Sequence, residues 1–319
     1  MKVFLLSLAL LVPLSQAAMR GIYMNGGNCQ VSQFFDPHGW PNNTGVVDLG
    51  LKQYYWSAVA QMSGRVFIFG GSTVMSPYHQ VTDVQIYDPL TNTTTMGAPM
   101  KMSRSLFTAT VVDAEIYVCG GLTDGLQFTA SCHVYHPYLD MWTELGADMP
   151  VAVHSHGAAF LKSKNTFYVF GGNRVEGPTA DTFSWLSWAG WQAHWPMMRP
   201  RADFSTAVTS DGNVVACGGF ESPHNNTLIP TCEMMDAYSG TWAQHTSMTE
   251  GKHYQSMIDF DGFTYVLGGF NDFNQDPVDT IEIYYGPSNM SWALYYTLPQ
   301  ACGGFVAFTI NDPAPGACV

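Results

Sequence analysis

The sequence predicts an all-β fold, a six-bladed β-propeller built from four-stranded blades. The first observation is a short β-branched or aromatic run that ends in two glycines and occurs six times. The glycine pairs begin at positions 26, 70, 120, 171, 218 and 268, which are 44 to 51 residues apart. A period of about 50 residues is the length of one propeller blade. The second observation is a spare strand at the C-terminus that matches a strand missing at the N-terminus.

Each repeat contains the same four predicted strands. A strand of small residues, such as 105–112, comes first and is followed by a tight turn of Asp, Ser, Asn or Gly residues, typical of a hairpin. The second strand ends in the glycine pair. The third strand closes with an aromatic residue near a proline, as in Tyr135-His136-Pro137 and Tyr285-Gly286-Pro287. The fourth strand carries a tryptophan in four repeats: Trp142, Trp191, Trp242 and Trp292.

The order of these strands predicts how the ring closes. The first glycine pair lies so close to the expected mature N-terminus that its blade lacks a first strand. Residues 304–310 have the pattern of a first strand, and only a short tail follows them. We therefore expect the C-terminal strand to complete the N-terminal blade. This arrangement removes the exposed sheet edges that promote aggregation.

The recurring Gly-Gly, Tyr and Trp positions resemble those of the kelch-repeat family over essentially the whole mature chain. Departures occur in three blades. Thr94-Thr95 and Asn42 stand where Trp is expected, and Trp185 or a neighbour replaces the Tyr of the repeat after Gly171-Gly172. The resemblance implies a propeller in which most Trp, Tyr and Met residues pack between blades. Such a scaffold is used both for binding and for catalysis, so the fold alone does not choose between them.

The N-terminal residues predict secretion. Met1-Lys2 precedes an apolar run over 3–14 and the small-residue segment Ser15-Gln16-Ala17, which are the parts of a secretory signal. We expect residues 1–17 to be a cleaved signal and residues 18–319 to form a single propeller domain. The apolar run is too short to span a bilayer. Four N-glycan acceptor triplets agree with secretion, at Asn42, Asn92, Asn225 and Asn289.

Six of the seven cysteines fit a disulfide pattern. Cys119 and Cys217 each stand immediately before a glycine pair, and Cys132 and Cys232 each lie ten residues before a blade tryptophan. Adjacent antiparallel strands bring such residues within bridging distance, so we expect Cys119–Cys132 and Cys217–Cys232 rather than buried free thiols.

The ring closure also places two cysteines at the seam. Cys29 and Cys302 fall at the same end of the N-terminal blade, so a third bridge would fasten the seam covalently. Cys318 would then stay free or pair with another chain. The alternative is a bridge from Cys318 to Cys29 or to Cys302.

Charge narrows the range of partners. The chain has 12 Lys and Arg against 25 Asp and Glu, a formal net charge of −13. Such a chain repels phosphate backbones, which argues against nucleic acids and anionic membrane surfaces. The expected partner is an extracellular protein or a small molecule, bound by the loops around the channel mouth.

Alignment of the first strands predicts which residues surround that mouth. The aligned ring contains Trp56, Phe107, His156, Phe204, Tyr254 and Gly304, and Arg104, Arg201, Asp203 and Lys252 come just before it. Aromatic walls with a few polar groups are typical of small-molecule pockets. The basic residues have two interpretations: ligand groups, or structural partners of neighbouring carbonyls and carboxylates.

An enzyme is the alternative function. His154, His156, His253 and Tyr254 are candidates to bind copper or zinc, since two His in alternation along a strand would point the same way. Arg104 and Arg201 would then hold an anionic substrate. A cofactor-free oxidase or oxygenase acting on an aromatic substrate is a related hypothesis, and the sequence identifies no cofactor. Hydrolase and phosphate-loop motifs are absent.

Overall fold

The computed structural model describes residues 20–29, 31–39, 44–75, 79–222, 227–272, 274, 276–286 and 291–311. Within these residues the chain forms six antiparallel four-stranded sheets. The innermost strand of each sheet contacts the innermost strands of the two neighbouring sheets, so the six blades close into a ring. The predicted class and blade count are therefore confirmed.

The strands are numbered in chain order and the blades from the N-terminus. Blade 1 contains β1 (Gly21–Gly26), β2 (Ser32–Phe35), β3 (Thr44–Val47) and the C-terminal β28 (Phe305–Ile310). Blade 2 contains β4 (Ala58–Met62), β5 (Arg65–Phe69), β6 (Val84–Asp88) and β7 (Thr93–Met96). Blade 3 contains β8 (Thr108–Val112), β9 (Glu115–Cys119), β12 (Cys132–His136) and β13 (Met141–Glu144).

The remaining blades follow the same plan. Blade 4 contains β14 (Gly157–Leu161), β15 (Thr166–Phe170), β18 (Thr182–Leu186) and β19 (Gly190–His194). Blade 5 contains β20 (Ser205–Val208), β21 (Val214–Cys217), β22 (Cys232–Met235) and β23 (Trp242–His245). Blade 6 contains β24 (Ser256–Phe260), β25 (Phe263–Leu267), β26 (Thr280–Tyr284) and β27 (Trp292–Thr297). Loop hairpins add β10 (Leu122–Thr123), β11 (Gln127–Phe128), β16 (Asn173–Arg174), β17 (Gly177–Pro178) and the 3₁₀ turn Asp124–Leu126.

The C-terminal strand completes the first blade, as predicted. β28 pairs with β1 along its whole length, from Gly21 opposite Ile310 to Gly26 opposite Phe305. The inner edge of blade 1 is thereby covered by a segment almost 300 residues away in sequence. Blade 1 thereby has the same four strands as each of the other five blades.

The hydrophobic core lies between blades. At the boundary of blades 2 and 3, for example, Phe67 and Phe69 pack against Tyr135, with ring centroids 6.0 and 5.6 Å apart. Small residues such as Ala58 and Ala60 occupy the inner strand of blade 2 in the same cluster. Aromatic side chains therefore fill the wider space away from the axis, where each contributes a large buried area.

The structure contains the three expected disulfides. Cys119–Cys132 and Cys217–Cys232 join directly paired residues of neighbouring strands, with Cα–Cα distances of 4.2 and 4.1 Å. Cys29–Cys302 spans 273 residues and fastens the seam at which the ring closes. In the chain-entropy account, a bridge closing a 13-residue loop contributes roughly 3 kcal/mol and a longer loop contributes more.

Some sequence predictions concern residues outside the described ranges. These are the signal over 1–17, the glycan acceptors Asn42, Asn225 and Asn289, and the cysteine Cys318. In the part of the chain that the structure describes, no helix is long and apolar enough to cross a bilayer.

Candidate functional site

The channel mouth is bounded by one residue from the entrance of each inner strand. The six residues share a left-handed backbone, with φ between 50° and 70°: Trp56, Leu106, Ser155, Asp203, Tyr254 and Gly304. Only glycine adopts this conformation without penalty, and each other residue pays roughly 1–2 kcal/mol. Five non-glycine residues therefore hold a strained backbone at equivalent positions, which we name the mouth ring.

A closed circle of backbone hydrogen bonds stabilises the mouth ring. The N–H of each member donates to the carbonyl of the member in the preceding blade, so that Leu106 donates to Trp56 and Gly304 donates to Tyr254. The N–H of Trp56 donates to the carbonyl of Gly304 and closes the circle. The six N···O distances lie between 2.8 and 3.3 Å. Because every link joins two blades, the ring fixes the width of the mouth and offsets the strain of the left-handed residues.

The alignment of first strands was wrong by one residue in three blades. Phe107, His156 and Phe204 do not belong to the mouth ring with Trp56, Tyr254 and Gly304; the members from those blades are Leu106, Ser155 and Asp203. The side chains of Phe107, His156 and Phe204 instead pack against the glycine pairs. A Cβ added to Gly121, Gly172 or Gly219 would lie 2.6–3.0 Å from the Cβ of one of them.

The glycine pairs form a second circle just beneath the mouth. The N–H of the second glycine in each pair donates to a carbonyl of the next blade over 2.7–2.9 Å. The acceptors are Tyr54, Arg104, Val153, Arg201, Lys252 and Cys302. There is no room for a side chain at the second glycine, since a Cβ on Gly219 would lie 2.2 Å from the carbonyl oxygen of Ala202. The glycine pairs that predicted the fold therefore form the joints between neighbouring blades.

Aromatic and polar side chains meet on one side of the mouth ring. Gly304 has no side chain, so Trp56 and Tyr254 approach each other across it, with ring centroids 5.8 Å apart. The Tyr254 side chain lies near those of Asp203 and Ser155. Burial raises the pKa of Tyr254 well above its usual value, and the charge of Asp203 adds to this effect. The phenol therefore stays protonated at neutral pH and is available as a hydrogen-bond donor.

Two buried polar atoms in this group have no hydrogen-bond partner. The side chains of Trp56 and Asp203 are 8% and 7% exposed, yet the indole Nε1 of Trp56 and the Oδ1 of Asp203 make no hydrogen bond. The other oxygen of Asp203 lies 3.7 Å from Nδ1 of His253, whose Nε2 lies 3.0 Å from the carbonyl of Asp272. A buried donor or acceptor left unpaired costs about 1–3 kcal/mol, so a bound ligand that pairs both atoms would recover that energy.

The basic residues expected near the mouth point into the blades. Arg104, Arg201 and Lys252 are fully buried. Arg104 donates to the carbonyls of Gly120 and Ser131, and Arg201 to those of Gly218 and Thr231. Burial lowers the pKa of Arg104 to about 10, which leaves it charged at neutral pH.

Each basic side chain also meets a polar residue of the third strand in its own blade. Arg201 lies 3.0 Å from Glu233, Lys252 lies 2.8 Å from Glu282, and Arg104 lies 3.1 Å from Nδ1 of His133. In blade 4 the equivalent positions hold the apolar pair Val153 and Phe183. This pattern gives the basic residues the structural role, because buried charges must be paired.

The histidines proposed as metal ligands do not converge. Ser155 has a φ of 53° and interrupts the strand, so His154 and His156 do not alternate along one face. His154 contacts Ser155 and Asn173, whereas Nε2 of His156 lies 3.0 Å from Thr108 of the neighbouring blade. Among the described residues, no three His, Cys, Asp or Glu side chains form a group that could hold a metal ion.

We expect the stability of the protein to fall as the pH drops below about 6.5. Burial lowers the pKa of His156 to about 3 and that of His133 to about 4, and in both cases neighbouring positive charge adds to the effect. In this range the unfolded chain binds protons that the folded chain does not. Each histidine should therefore cost roughly 1.4 kcal/mol of unfolding free energy per pH unit between 6.5 and its folded pKa.

Urea unfolding at pH 7.5, 6 and 5 measures this dependence. The His156→Gln variant should show a shallower decline than the parent over the same range. Parallel declines for the two proteins would contradict the assignment of the effect to His156.

Comparisons with known proteins agree with this geometry. Residues 103–147, which cover most of blade 3, match the Kelch motif. The chain is 26% identical to beta-scruin of Limulus polyphemus over 281 residues, which is 82% of this chain and 29% of that protein. It is 24% identical to human Kelch-like protein 23 over 241 residues, which is 72% of this chain and 39% of that protein. The chain thus spans less than half the length of these curated relatives.

A solved structure, that of YjhT, has the same fold. It superposes with a TM-score of 0.69 at 13% sequence identity, covering 88% of this chain and 96% of that one. The repeat spacing, the glycine joints and these similarities lead to one conclusion. Residues 103–147 carry the Kelch motif, and the chain is similar to kelch-repeat proteins over most of its length.

Proposed function

We propose that this chain is a secreted recognition protein that binds an extracellular ligand at the channel mouth, either a small molecule or a projecting segment of a protein. The observation that carries the proposal is the pair of unpartnered polar atoms, Nε1 of Trp56 and Oδ1 of Asp203, on side chains that are more than nine-tenths buried. Strained backbone and unsatisfied polar groups concentrate at functional sites, and the mouth ring has both.

The two atoms indicate the chemistry of the ligand. Asp203 Oδ1 accepts a hydrogen bond and Trp56 Nε1 donates one, and Tyr254 lies in contact with both residues. A ligand with a hydroxyl group or a primary amide offers the matching donor and acceptor. The aromatic faces of Trp56 and Tyr254 would cover its apolar side. An anionic ligand is disfavoured, because Arg104, Arg201 and Lys252 are buried and already paired.

The surface around the mouth offers room for a larger partner. An open groove of about 690 Å³ lies between the loops of blades 2 and 3 on the same face. Its walls include Asp83, Lys101, Met102 and Asp124. A protein segment reaching the mouth ring would continue into this groove, and kelch relatives supply the general precedent of a propeller used for recognition.

The oxidoreductase alternative receives less support. The candidate ligands His154, His156 and His253 make separate contacts, and the Tyr254 ring packs against Trp56. We therefore base the proposed function on recognition and not on redox chemistry.

Replacing Asp203 with asparagine tests the proposal. A library of small polar molecules and short peptides would be screened by ligand-observed NMR against the parent protein, and the hits measured by calorimetry. Asp203→Asn keeps the shape and the contact with Tyr254 but removes the charge, so hits should bind about 10–100-fold more weakly. Asp113→Asn, an exposed change in the β8–β9 turn away from the mouth, is the matched control and should leave affinity unchanged. Equal affinity of the parent and Asp203→Asn would contradict the mouth as the site.

The secreted state makes its own prediction at Asn92. This acceptor is exposed in the β6–β7 turn, and its Oδ1 accepts a hydrogen bond from Tyr87 at 2.9 Å, which leaves the Nδ2 atom for a glycan. We expect mass spectrometry of protein secreted from eukaryotic cells to find Asn92 glycosylated, and Asn92→Gln to lose the mass of one glycan. Recovery of unmodified Asn92 from the secreted protein would be the opposite result.

A further inference from the structure

One position of the repeat departs from its aromatic character in a single blade. The third residue before each glycine pair is Tyr23, Phe67, Tyr117, Tyr168 and Tyr265 in five blades, but it is Val215 in blade 5. The aromatic residue at this position fills the space beside the next blade. Phe67 packs on Tyr135 with centroids 6.0 Å apart, and Tyr265 packs on Phe35 at 5.9 Å.

The missing aromatic ring coincides with a cavity. At the boundary of blades 5 and 6, Val215 takes the place of Phe67 and Tyr284 the place of Tyr135. A cavity of about 350 Å³ opens there, lined by Val215, Met234 and Tyr284 among others. It lies beside the turns that join first and second strands, on the face opposite the mouth ring. Its volume falls within the range of known ligand pockets.

The polar lining of the cavity is acidic. Asp211 and Asp259 both face it, and the described lining residues include no Lys or Arg. Asp259 accepts a hydrogen bond of 3.4 Å from Thr264, and burial raises its pKa, with the charge of Asp211 adding to the effect. A half-buried carboxylate beside a second one is stabilised by a bound cation.

The third polar group is the imidazole of His245. It packs edge-on against Tyr284 with centroids 4.6 Å apart, and its Nδ1 has no hydrogen-bond partner. In blade 4 the equivalent His194 is satisfied by Ser184 at 2.7 Å. Burial lowers the pKa of His245, so the ring is neutral at pH 7 and adds no positive charge to the cavity.

We propose that this cavity is a second binding site, and that it takes a small organic ammonium ion with an aromatic or aliphatic body. The body packs against Val215, Met234 and Tyr284, where the missing aromatic ring of the repeat would lie. The ammonium group faces Asp211 and Asp259, and the face of Tyr284 adds a cation–π attraction. This site is independent of the mouth ring, since it shares no residue with it.

Phenethylamine is a suitable probe because it combines a benzene ring with an ammonium group. Binding would be followed by calorimetry at pH 7 and low salt, with 2-phenylethanol and 3-phenylpropionate as neutral and anionic comparators. We expect saturable binding of the amine, about tenfold weaker binding of the alcohol and no binding of the acid. Equal binding of the amine and the acid, or no saturable binding of the amine, would overturn the proposal.

Substitutions place the probe within the cavity. Val215→Tyr restores the residue found in blades 1, 3, 4 and 6 and should abolish binding by filling the space. Val208→Tyr, an exposed change in the same blade, is the matched control and should bind normally. Asp259→Asn, which keeps the cavity open, should weaken the amine about tenfold and leave the alcohol unchanged. Unaltered amine binding in both Val215→Tyr and Asp259→Asn would refute this location. Asp203→Asn, a change at the mouth ring, should leave amine binding unchanged.

Discussion

Replacing Glu282 with leucine is expected to lower the free energy of unfolding by about 3 kcal/mol. Glu282 and Lys252 are both fully buried and lie 2.8 Å apart. The other carboxylate oxygen of Glu282 accepts hydrogen bonds from the backbone and hydroxyl of Thr249, both at 2.7 Å. Leucine removes these partners and leaves the ammonium of Lys252 with Thr280 and the half-exposed Glu250 alone.

Urea unfolding of a mutant cycle measures this effect. Because blade 4 tolerates an apolar pair at the equivalent positions, the double variant Lys252→Met with Glu282→Leu should recover a large part of the loss. Glu144→Leu removes an exposed ion pair with Lys101 and should cost less than about 0.5 kcal/mol. If the loss of unfolding free energy in the double variant equals the sum of the losses in the two single variants, the charges are not coupled.

Replacing Gly219 with alanine is expected to cost about 3 kcal/mol or more. Its φ of 80° is strained for any other residue, and the added Cβ would lie 2.2 Å from the carbonyl oxygen of Ala202. The clash falls on backbone, which cannot move without breaking the hydrogen bond from Gly219 to Lys252 in the next blade.

Gly212 provides the matched control for that substitution. Its φ of 86° is similar, but a Cβ there would meet no atom within 4 Å. Gly212→Ala should therefore cost only the conformational strain of about 1 kcal/mol. Similar melting temperatures for the two variants would contradict the account of the glycine pairs as joints between blades.

The fold could be predicted from the sequence because its determinants repeat. Each glycine pair makes the same blade-to-blade joint. In blades 3 and 5 a cysteine stands directly before that joint, and its partner lies ten residues before the blade tryptophan. The seam was predictable for the same reason, since the pattern of residues 304–310 matches that of the other inner strands.

The mouth could be located only approximately, because its geometry depends on backbone conformation. Nothing in the residue types of Leu106, Ser155 and Trp56 reveals a shared positive φ. The alignment therefore selected the aromatic residues one position later in three blades. A similar slip affected the third strand of blade 6, which ends at Tyr284, so that Tyr284 and not Tyr285 pairs with Trp292.

The sequence contains a signal, which our prediction did not use, that the basic side chains point into the blades. Glu233 and Glu282 occupy the third-strand position that holds Gln33 and Gln85 in other blades. In each case the side chain accepts a hydrogen bond from the loop that precedes the inner strand. A carboxylate at this internal position in the blades that also carry Arg201 and Lys252 indicates a buried pair.

The indole N–H signal of Trp56 tests the central claim most directly, because it is a buried donor without an acceptor at the mouth. Three indoles that already donate within the protein serve as references: Trp142 donates to Ala98, Trp242 to Thr182 and Trp292 to Thr246. In ¹⁵N NMR spectra assigned with Trp56→Phe, a ligand found by screening should shift the Trp56 indole signal downfield and leave those three in place. A bound ligand that shifts the other indoles and not that of Trp56 would contradict recognition at the mouth ring.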